Sequence, residues 1–267
     1  MGSKSRIVSE IAPIIQKYVD KSESKVYFEP FCGGCNVIDH IKAYARIAAD
    51  NQKYIIALYK NLHRLCELPD FVTKEHYDSV RRCYNTGGDE YEDWYIGAIG
   101  FLASYNGRFF DGGYAGIRRT KIGTERNYYS EAKRNLEVQV PNLAGIEFYC
   151  FDYRNINGIN GCVVYCDPPY SGTKKYSSSK NFNHDEFWAW VRKMSENNIV
   201  IVSEQNAPED FECIWEQQVT RMIDYTNELE LGDIIIVASA RYTFIGDGHE
   251  HGIPMNFCPN CGEKIKE

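Results

Sequence analysis

The chain has 267 residues and a formal net charge of −7, and 43% of its residues are hydrophobic. This composition fits a globular protein with a sizeable core and excludes a wholly disordered chain. No apolar run approaches the roughly 20 residues that a membrane helix needs, and no apolar segment follows the first residues, so we expect a cytoplasmic protein without a membrane partner.

The amino-terminal part of the chain alternates between helix and strand patterns. Apolar residues at helical spacing predict an amphipathic helix over residues 5–19. A buried strand over 26–31 follows, and it leads through a glycine-containing loop into a predicted helix over 37–44. A short strand over 46–50 and a helix over 52–65 continue the alternation, which is typical of a parallel sheet covered by helices.

The alternation stops near residue 69 and resumes near residue 146. The intervening segment carries helical stretches over 75–84 and 90–104, and then a stretch rich in glycine and arginine. Beyond it, Asn183 is a suitable N-cap for a helix that begins at the next residue. Strand patterns cover 147–151, 163–166, 199–203, 219–223 and 234–238.

These elements predict an α/β fold with an open, mainly parallel twisted sheet and helices on both faces. A mainly helical insert over 70–145 interrupts the sheet domain, which is formed by 1–69 and 146–245, and a tail over 246–267 follows. In open α/β sheets, ligands bind at the carboxyl ends of the strands. The polar motifs of this sequence fall at such ends, and we therefore expect them to line one site.

An acid, two prolines and an aromatic residue directly follow the strand over 163–166. The prolines of Asp167-Pro168-Pro169-Tyr170 fix the backbone and lack N–H donors, which leaves carbonyl acceptors on a rigid turn. A carboxylate beside such a carbonyl can accept both hydrogens of a primary amine, and the tyrosine ring can stack on a planar heterocycle. The alternative is a strand terminator with a solvent-exposed acid.

A glycine loop follows the first strand, and acids follow two other strands. Segment 29–34 reads EPFCGG, and glycines at such a position let a ligand approach the backbone closely. Asp50 lies roughly 20 residues after this loop, which is the spacing at which an acid can bind the ribose hydroxyls of a nucleotide. Asp152 could accept a hydrogen bond from an adenine amino group. Each feature taken singly also fits an ordinary turn or loop acid.

Positive charge is concentrated in one segment of this acidic chain. Residues 104–134 contain seven Lys and Arg against three Asp and Glu, a local net charge of +4. Such a segment is typical of a nucleic-acid contact, although a solvated loop has the same composition.

Together these motifs resemble the DNA adenine-N6 methyltransferases of the GATC-modifying type, including phage-encoded members. The resemblance covers nearly the whole chain in the expected order, from a glycine-lysine pair at residues 2–4 to the catalytic motif at 167–170. It implies a class I methyltransferase fold that uses S-adenosyl-L-methionine. It implies a catalytic role for Asp167, Pro168 and Tyr170. The cofactor-binding residues that it implies are Lys4, Glu29, Pro30, Phe31, Gly33, Asp50, Asp152 and Asp167.

The resemblance also implies that the partner is double-stranded DNA and that the target adenine is flipped out of the duplex, as in restriction-modification systems. The insert then carries target recognition. The expected DNA-binding residues are Tyr105, Asn106, Arg108, Arg118, Arg119, Arg126 and Lys174. Two alternatives remain at this point: a catalytically silent DNA-binding protein, and a methyltransferase that acts on cytosine-N4 or on a protein glutamine.

Cysteine usage raises a separate question of metal binding. Among the ten cysteines, Cys150, Cys162 and Cys166 lie in apolar strand-like runs, so we expect reduced, buried thiols. At the Cys32/Cys35 pair we expect neither redox activity nor metal binding. The tail differs, because Cys258-Pro-Asn-Cys261-Gly is a zinc-knuckle sequence. A structural zinc site needs four ligands, which His249 and His251 could complete, so a structural zinc in the tail is a hypothesis.

Overall fold

The computed structural model describes residues 4–119, 123–170, 182–222 and 229–239. The chain divides into two compact units. The insert unit is Asp50–Phe151, and the sheet unit combines Lys4–Ala49 with the residues from Asp152 onward. The predicted insert 70–145 lies inside the insert unit, and its role in target recognition stays a prediction.

Helices and strands alternate along the described chain. The helices are α1 (Val8–Lys21), α2 (Lys53–Lys60), α3 (Lys74–Thr86), α4 (Asp93–Leu102), α5 (Tyr128–Leu143) and α6 (His184–Met194). The strands are β1 (Val26–Glu29), β2 (Ala45–Asp50), β3 (Ile117–Arg119), β4 (Glu125–Asn127), β5 (Ile146–Cys150), β6 (Val163–Cys166), β7 (Ile199–Glu204), β8 (Phe211–Met222) and β9 (Leu229–Ser239).

The sheet unit is built on strands in the order β2-β1-β6-β7-β9-β8. The first four run parallel, and β9 pairs antiparallel with both β7 and β8. Phe28 of β1 is in register with Ile47 of β2 and Val164 of β6. The carboxyl ends of the parallel strands therefore share one edge. The predicted mainly parallel α/β sheet is confirmed.

The sequence patterns explain why these strands occupy the core. Every residue of β1 and of β6 is buried, which is expected for parallel strands covered on both faces. Helix α6 begins where Asn183 accepts hydrogen bonds from the backbone N–H groups of Asp185 and Glu186, so the predicted N-cap is confirmed.

The helix predicted over 37–44 is wrong, because only a 3-10 turn forms there, over Ile38–His40. The amide side chain of Gln16 on α1 bonds both backbone groups of Lys42, accepting from its N–H and donating to its carbonyl. The N–H of Tyr44 donates to the Lys25 carbonyl. These partners keep residues 41–44 out of a helix, and they satisfy backbone groups that a helix would have used itself.

The insert unit is mainly helical, as predicted, but two of its elements were missed. Helices α2 and α4 approach so closely that a Cβ on Gly97 would lie 2.1 Å from the Tyr54 carbonyl oxygen. The predicted helix over 52–65 ends early, and a separate 3-10 turn covers Leu62–Glu67. Helix α5 and the β3–β4 hairpin lie where the sequence indicated only a glycine- and arginine-rich segment.

Within the described ranges, none of the helices has the length and apolar character needed to span a membrane. Lys174 and the whole tail, with Cys258, Cys261, His249 and His251, lie outside the described residues.

Candidate active site

The turn after β6 brings a buried cation against the predicted catalytic acid. The Lys4 ammonium donates to Asp167 Oδ1 at 2.5 Å. The Lys4 side chain is 3% exposed and that of Asp167 is 23% exposed. The pair therefore joins the start of the described chain to the carboxyl end of β6, inside the sheet unit. The Tyr170 hydroxyl group is a second hydrogen-bond partner of this carboxylate.

Tyr170 is held at its hydroxyl group and over its ring. The phenol oxygen lies 2.8 Å from Ser203 Oγ on β7, within hydrogen-bond distance. The Lys4 ammonium lies over the ring, 4.7 Å from its centroid, which is a cation–π distance. Asp167 and Tyr170 thus share Lys4 as a neighbour, so this lysine couples the acid and the aromatic ring of the turn.

The glycine loop after β1 makes a tight turn with open space beside it. The N–H of Cys32 donates to the Ala49 carbonyl, and the N–H of Cys35 donates to the Cys32 carbonyl at 2.7 Å. Gly33 has a φ of +44°, and a Cβ built there would meet nothing within 4 Å. The loop therefore needs glycine for its conformation and leaves room for a ligand beside the backbone.

Phe31 belongs to an aromatic cluster that sequence reasoning did not assemble. Its ring centroid lies 5.2 Å from that of Tyr153, 5.7 Å from Phe187 and 6.1 Å from Phe182. Tyr153 and Phe187 are buried, whereas Phe31 and Phe182 are half-buried. The accessible parts of these last two rings offer an apolar wall next to the glycine loop.

Glu29 is the last residue of β1, and its buried carboxyl group accepts a hydrogen bond. It is 3% exposed, and it accepts from the hydroxyl group of Tyr27 at 2.7 Å. Burial raises the pKa of Glu29 well above its ordinary value, the Tyr27 hydrogen bond lowers it, and the charge of Asp167 raises it. Burial thus acts against the charged form of this carboxyl group.

Asp152 caps the 3-10 turn Tyr153–Asn155 and is clamped by an arginine. Its Oδ1 accepts from the backbone N–H of Arg154 and from Nε, and its Oδ2 accepts from Nη2, both side-chain bonds at 2.8 Å. The Arg154 hydrogen bonds hold the pKa of Asp152 below its ordinary value. The predicted cofactor acid is therefore ionised and held in one orientation.

Asp50 is the last residue of β2 and the first residue of the insert unit. Its Oδ1 accepts from the Gln52 N–H at 2.9 Å, and its carbonyl accepts from the Phe151 N–H. The side chain is half-buried, so the carboxylate has a fixed position and partial access to solvent.

Comparison with known proteins assigns the chain to a family. The family model for D12 class N6 adenine-specific DNA methyltransferases matches residues 1–93 and 101–198, which is more than half of the chain. The chain belongs to this family. The family membership confirms the expected activity class and S-adenosyl-L-methionine dependence, and it disfavours the alternatives.

Individual relatives agree with the family assignment. The chain is 28% identical over 224 residues to the Retron Ec67 DNA adenine methylase of Escherichia coli, covering 76% of this chain and 74% of the relative. It is 23% identical over 211 residues to the type II methyltransferase M.MjaIII of Methanocaldococcus jannaschii, covering 70% and 72%. The rRNA methyltransferase aviRa of Streptomyces viridochromogenes has a TM-score of 0.40 at 11% identity, covering 91% and 88%, a similarity too weak to support an argument.

Within this D12 class methyltransferase, the predicted recognition loop is built around a buried serine. Ser104 Oγ lies 2.8 Å from the Tyr77 hydroxyl and accepts from the Phe110 N–H. Tyr105, at the edge of the loop, is 48% exposed, and Asn106 has a φ of 55°. Arg108 is half-buried, and its role in DNA binding stays a prediction.

The remaining predicted arginines lie on the β3–β4 hairpin, and their side chains are exposed. Arg118 pairs directly across the hairpin with Arg126. Arg126 donates from Nε to both carboxylate oxygens of Glu131 and lies over the Tyr128 ring. Arg119, on the opposite face, donates to the Gly123 carbonyl at 3.3 Å. Arg118 and Arg119 are therefore the more accessible cations, and Arg126 is held by an acid.

The cysteine expectations have separate outcomes. Cys162 and Cys166 are buried, as expected, but Cys150 is exposed, because it lies at the end of β5. Cys32 and Cys35 are buried, and neither forms a disulfide. No group of His, Cys, Asp and Glu suited to a metal occurs among the residues that the structure describes. Zinc in the tail stays a prediction, which elemental analysis of protein purified without chelator tests.

The Lys4–Asp167 pair predicts a pH effect. Burial raises the pKa of Asp167, and the Lys4 charge opposes this rise. If the ionised acid is needed, activity falls as the pH drops through this pKa. We expect Lys4→Met to raise the pKa further and to move the acid limb of the kcat profile, measured at saturating cofactor, to higher pH. Lys17→Met, at an exposed site on α1, is the control, and an unmoved limb in the Lys4 variant contradicts the coupling.

Proposed function

We propose that this methyltransferase binds an adenine flipped out of double-stranded DNA at the turn after β6 and methylates its N6 amine there. The observation that carries the proposal is the cluster of Lys4, Asp167 and Tyr170 at the carboxyl end of β6. Strand β1 is the parallel neighbour of β6, so the glycine loop begins at the same edge. The donor and acceptor of the methyl group could then meet at this edge.

Asp167 and the Pro168 carbonyl would hold the amine. S-adenosyl-L-methionine supplies the methyl group from its sulfonium, leaving S-adenosylhomocysteine when the C–S bond breaks and the N–C bond forms. The two acceptors would accept hydrogen bonds from the two amine hydrogens, and these bonds would direct the nitrogen lone pair at the methyl carbon. The proton displaced from nitrogen would leave by way of the carboxylate to solvent. Positioning of this kind supplies much of a rate enhancement.

The electrostatics of the turn support the same role. Positive charge develops on the amine nitrogen during transfer, and a partly buried carboxylate stabilises it more strongly than water would. Lys4 bonds Oδ1 of Asp167, and because each carboxylate oxygen can accept more than one hydrogen bond, the amine would still find an acceptor there. The lysine would therefore fix the carboxylate in the orientation that the amine requires.

Tyr170 would cover the face of the flipped base. Extrusion of a base costs a few kcal/mol. Stacking on an aromatic ring returns roughly 1–3 kcal/mol per base. The half-buried Tyr170 ring is held by Ser203 and Lys4, so little freedom would be lost when the base arrives.

The cofactor would occupy the glycine loop of the sheet unit. Gly33 provides space beside the backbone, and Phe31 with Phe182 would pack against apolar parts of the cofactor. Asp152 would accept from the adenine amino group, and Asp50 would bind the ribose hydroxyls. Glu29 is proposed to support this loop, because its carboxyl group is buried and already accepts a hydrogen bond from Tyr27. Pro30 would fix the strand-to-loop turn.

The insert unit would bind the duplex through its hairpin and the loop at Tyr105. A two-stranded ribbon fits the major groove of DNA, and exposed arginines bind phosphates or guanines. Arg118 and Arg119 would make these contacts, with Tyr105, Asn106, Arg108 and Arg126 beside them. Lys174 is proposed to contact the backbone near the flipped base. The protein would act in the cytoplasm of a bacterial or phage-infected cell, where such DNA is present.

Removal of the hairpin charges tests the DNA contact. We expect Arg118→Gln with Arg119→Gln to weaken DNA binding and to reduce the slope of log Kd against log salt by about 0.9 for each phosphate that is no longer neutralised. Fluorescence anisotropy at several salt concentrations measures the slope. Arg81→Gln with Arg82→Gln, at exposed sites on α3, is the matched control. An unchanged slope in the hairpin variant would place the duplex elsewhere.

The proposed reaction is tested by analysis of methylated nucleosides. Plasmid DNA free of methylation is incubated with the full chain and S-adenosyl-L-methionine carrying a labelled methyl group, digested and analysed by mass spectrometry. The proposal predicts label in N6-methyladenine. Label in N4-methylcytosine, or in protein alone, would overturn it. Modified-base sequencing of the same DNA then maps the recognition site.

A further inference from the structure

A serine on the strand beside β6 reaches the catalytic turn. Ser203 is the fifth residue of β7, and its side chain is completely buried. In the parallel pair, Cys166 of β6 is in register with Val202, so Ser203 lies level with the start of the turn. A fully buried hydroxyl group must find a hydrogen-bond partner, since an unsatisfied one is costly.

The partner of Ser203 is the hydroxyl group of Tyr170. Their oxygens lie 2.8 Å apart. Burial raises the pKa of Tyr165, a tyrosine on β6, and the Ser203 hydroxyl opposes this rise, so Ser203 also faces a second phenol. Ser203 pairs with Ile236 of β9 and directly follows Val202, which pairs with Cys166 of β6, whereas Tyr170 lies on an irregular turn. The rigid member of the pair is therefore the serine.

We propose that Ser203 is a positioning residue, which holds the Tyr170 ring in the plane needed to stack on the target base. Two contacts restrict the ring. The Ser203 hydrogen bond holds its hydroxyl end, and the Lys4 ammonium lies over one face, 4.7 Å from the ring centroid. The inference rests on the proposed function, because it gives the Tyr170 hydroxyl a purpose that stacking alone does not require.

The pair is tested by a double-mutant cycle on DNA methylation. The substrate is a duplex that carries one mapped recognition site. Ser203→Ala and Tyr170→Phe each remove the Ser203–Tyr170 hydrogen bond and keep the ring, and Tyr170→Phe also removes the hydrogen bond of the Tyr170 hydroxyl group to Asp167. We expect each to lower kcat by about three- to ten-fold, which is the effect of one hydrogen bond, with the KM for S-adenosyl-L-methionine unchanged. In the Tyr170→Phe background, Ser203→Ala is expected to cause no further loss.

A matched control is available within the same unit. Ser195 is also buried, and its hydroxyl donates to the Val191 carbonyl on α6, so Ser195→Ala removes a buried hydroxyl bond away from the turn. We expect this variant to keep the wild-type kcat. When it is combined with Tyr170→Phe, we expect the kcat of the double variant to equal that of Tyr170→Phe alone. Base flipping, measured by 2-aminopurine fluorescence at the target position, is expected to fall in Ser203→Ala and to be unchanged in Ser195→Ala.

The outcomes separate this inference from the proposed function. Equal fold-losses for Ser203→Ala in both backgrounds, or full activity of Tyr170→Phe, would overturn the positioning role while the wild-type enzyme still labels adenine. If Ser203→Ala fails to fold, Tyr170→Phe alone can still overturn the role, because full activity of that variant would show that the Tyr170 hydroxyl group is not needed. Absence of adenine labelling by the wild-type enzyme would overturn the proposed function itself.

Discussion

Replacement of Asp167 by Asn is expected to reduce the rate of methyl transfer by at least about 10²–10³-fold, the usual effect of removing one group that stabilises developing charge. The amide keeps the shape of the carboxylate, but it carries no charge and offers only one acceptor oxygen. Single-turnover incorporation of a labelled methyl group into DNA measures the loss. Cofactor binding, measured by calorimetry, is expected to persist, since the glycine loop and Phe31 are unchanged.

The buried lysine requires a control in this experiment. Asp167→Asn leaves the Lys4 ammonium, which is 3% exposed, without its charged partner, and an unpaired buried charge is destabilising. Lys4→Met with Asp167→Asn removes both charges and is expected to restore stability without restoring activity. Asp185→Asn, at an exposed acid on α6, is expected to be fully active. Near-wild-type activity of Asp167→Asn would eliminate the role of the acid.

Truncation of Tyr170 to Ala is expected to lower kcat/KM for DNA by about 5- to 150-fold, which corresponds to the loss of one base–aromatic stack. Tyr170→Trp keeps a stacking surface, so its loss is expected to be smaller, as is that of Tyr170→Phe. Steady-state kinetics on duplex DNA at saturating cofactor give the comparison.

The order of the three variants is the informative result. Tyr149→Ala, at an exposed tyrosine of the insert unit, controls for the loss of an aromatic ring and is expected to leave kcat unchanged. A similar loss for Ala, Phe and Trp at position 170 would mean that stacking is not what the ring provides.

The sequence predicted the parts of the fold that depend on short apolar runs. Strand β6 was placed with the correct bounds, because four apolar residues end abruptly at an acid and two prolines. The N-cap at Asn183 was equally visible, since an N-cap acts on its own first turn. The catalytic motif follows such a strand, so its position at a carboxyl edge could be predicted.

Features that depend on distant contacts could not be predicted in this way. The segment 37–44 has a helical pattern, yet Gln16 on α1 bonds the backbone of Lys42 and prevents a helix there. Helix α5 buries few apolar residues, Tyr129, Leu136 and Leu143 among them, so its periodicity is weak. The same limit applies to the site, because only the sheet register brings Ser203 to Tyr170.

The arginine clamp on Asp152 has a different explanation. Arg154 is only two residues away, and an acid that caps a short turn often receives bonds from the residues that follow it. The sequence therefore contained the signal, but an arginine near an acid is too common to indicate a clamp without coordinates.

A crystal structure of the full chain with duplex DNA and an unreactive cofactor analogue would show directly where the target adenine binds. We expect an extrahelical adenine whose amine lies about 3 Å from the Asp167 carboxylate and the Pro168 carbonyl, with Tyr170 over the base. An adenine that remains stacked in the duplex of such a complex, or an amine held by other side chains, would contradict the proposed mechanism.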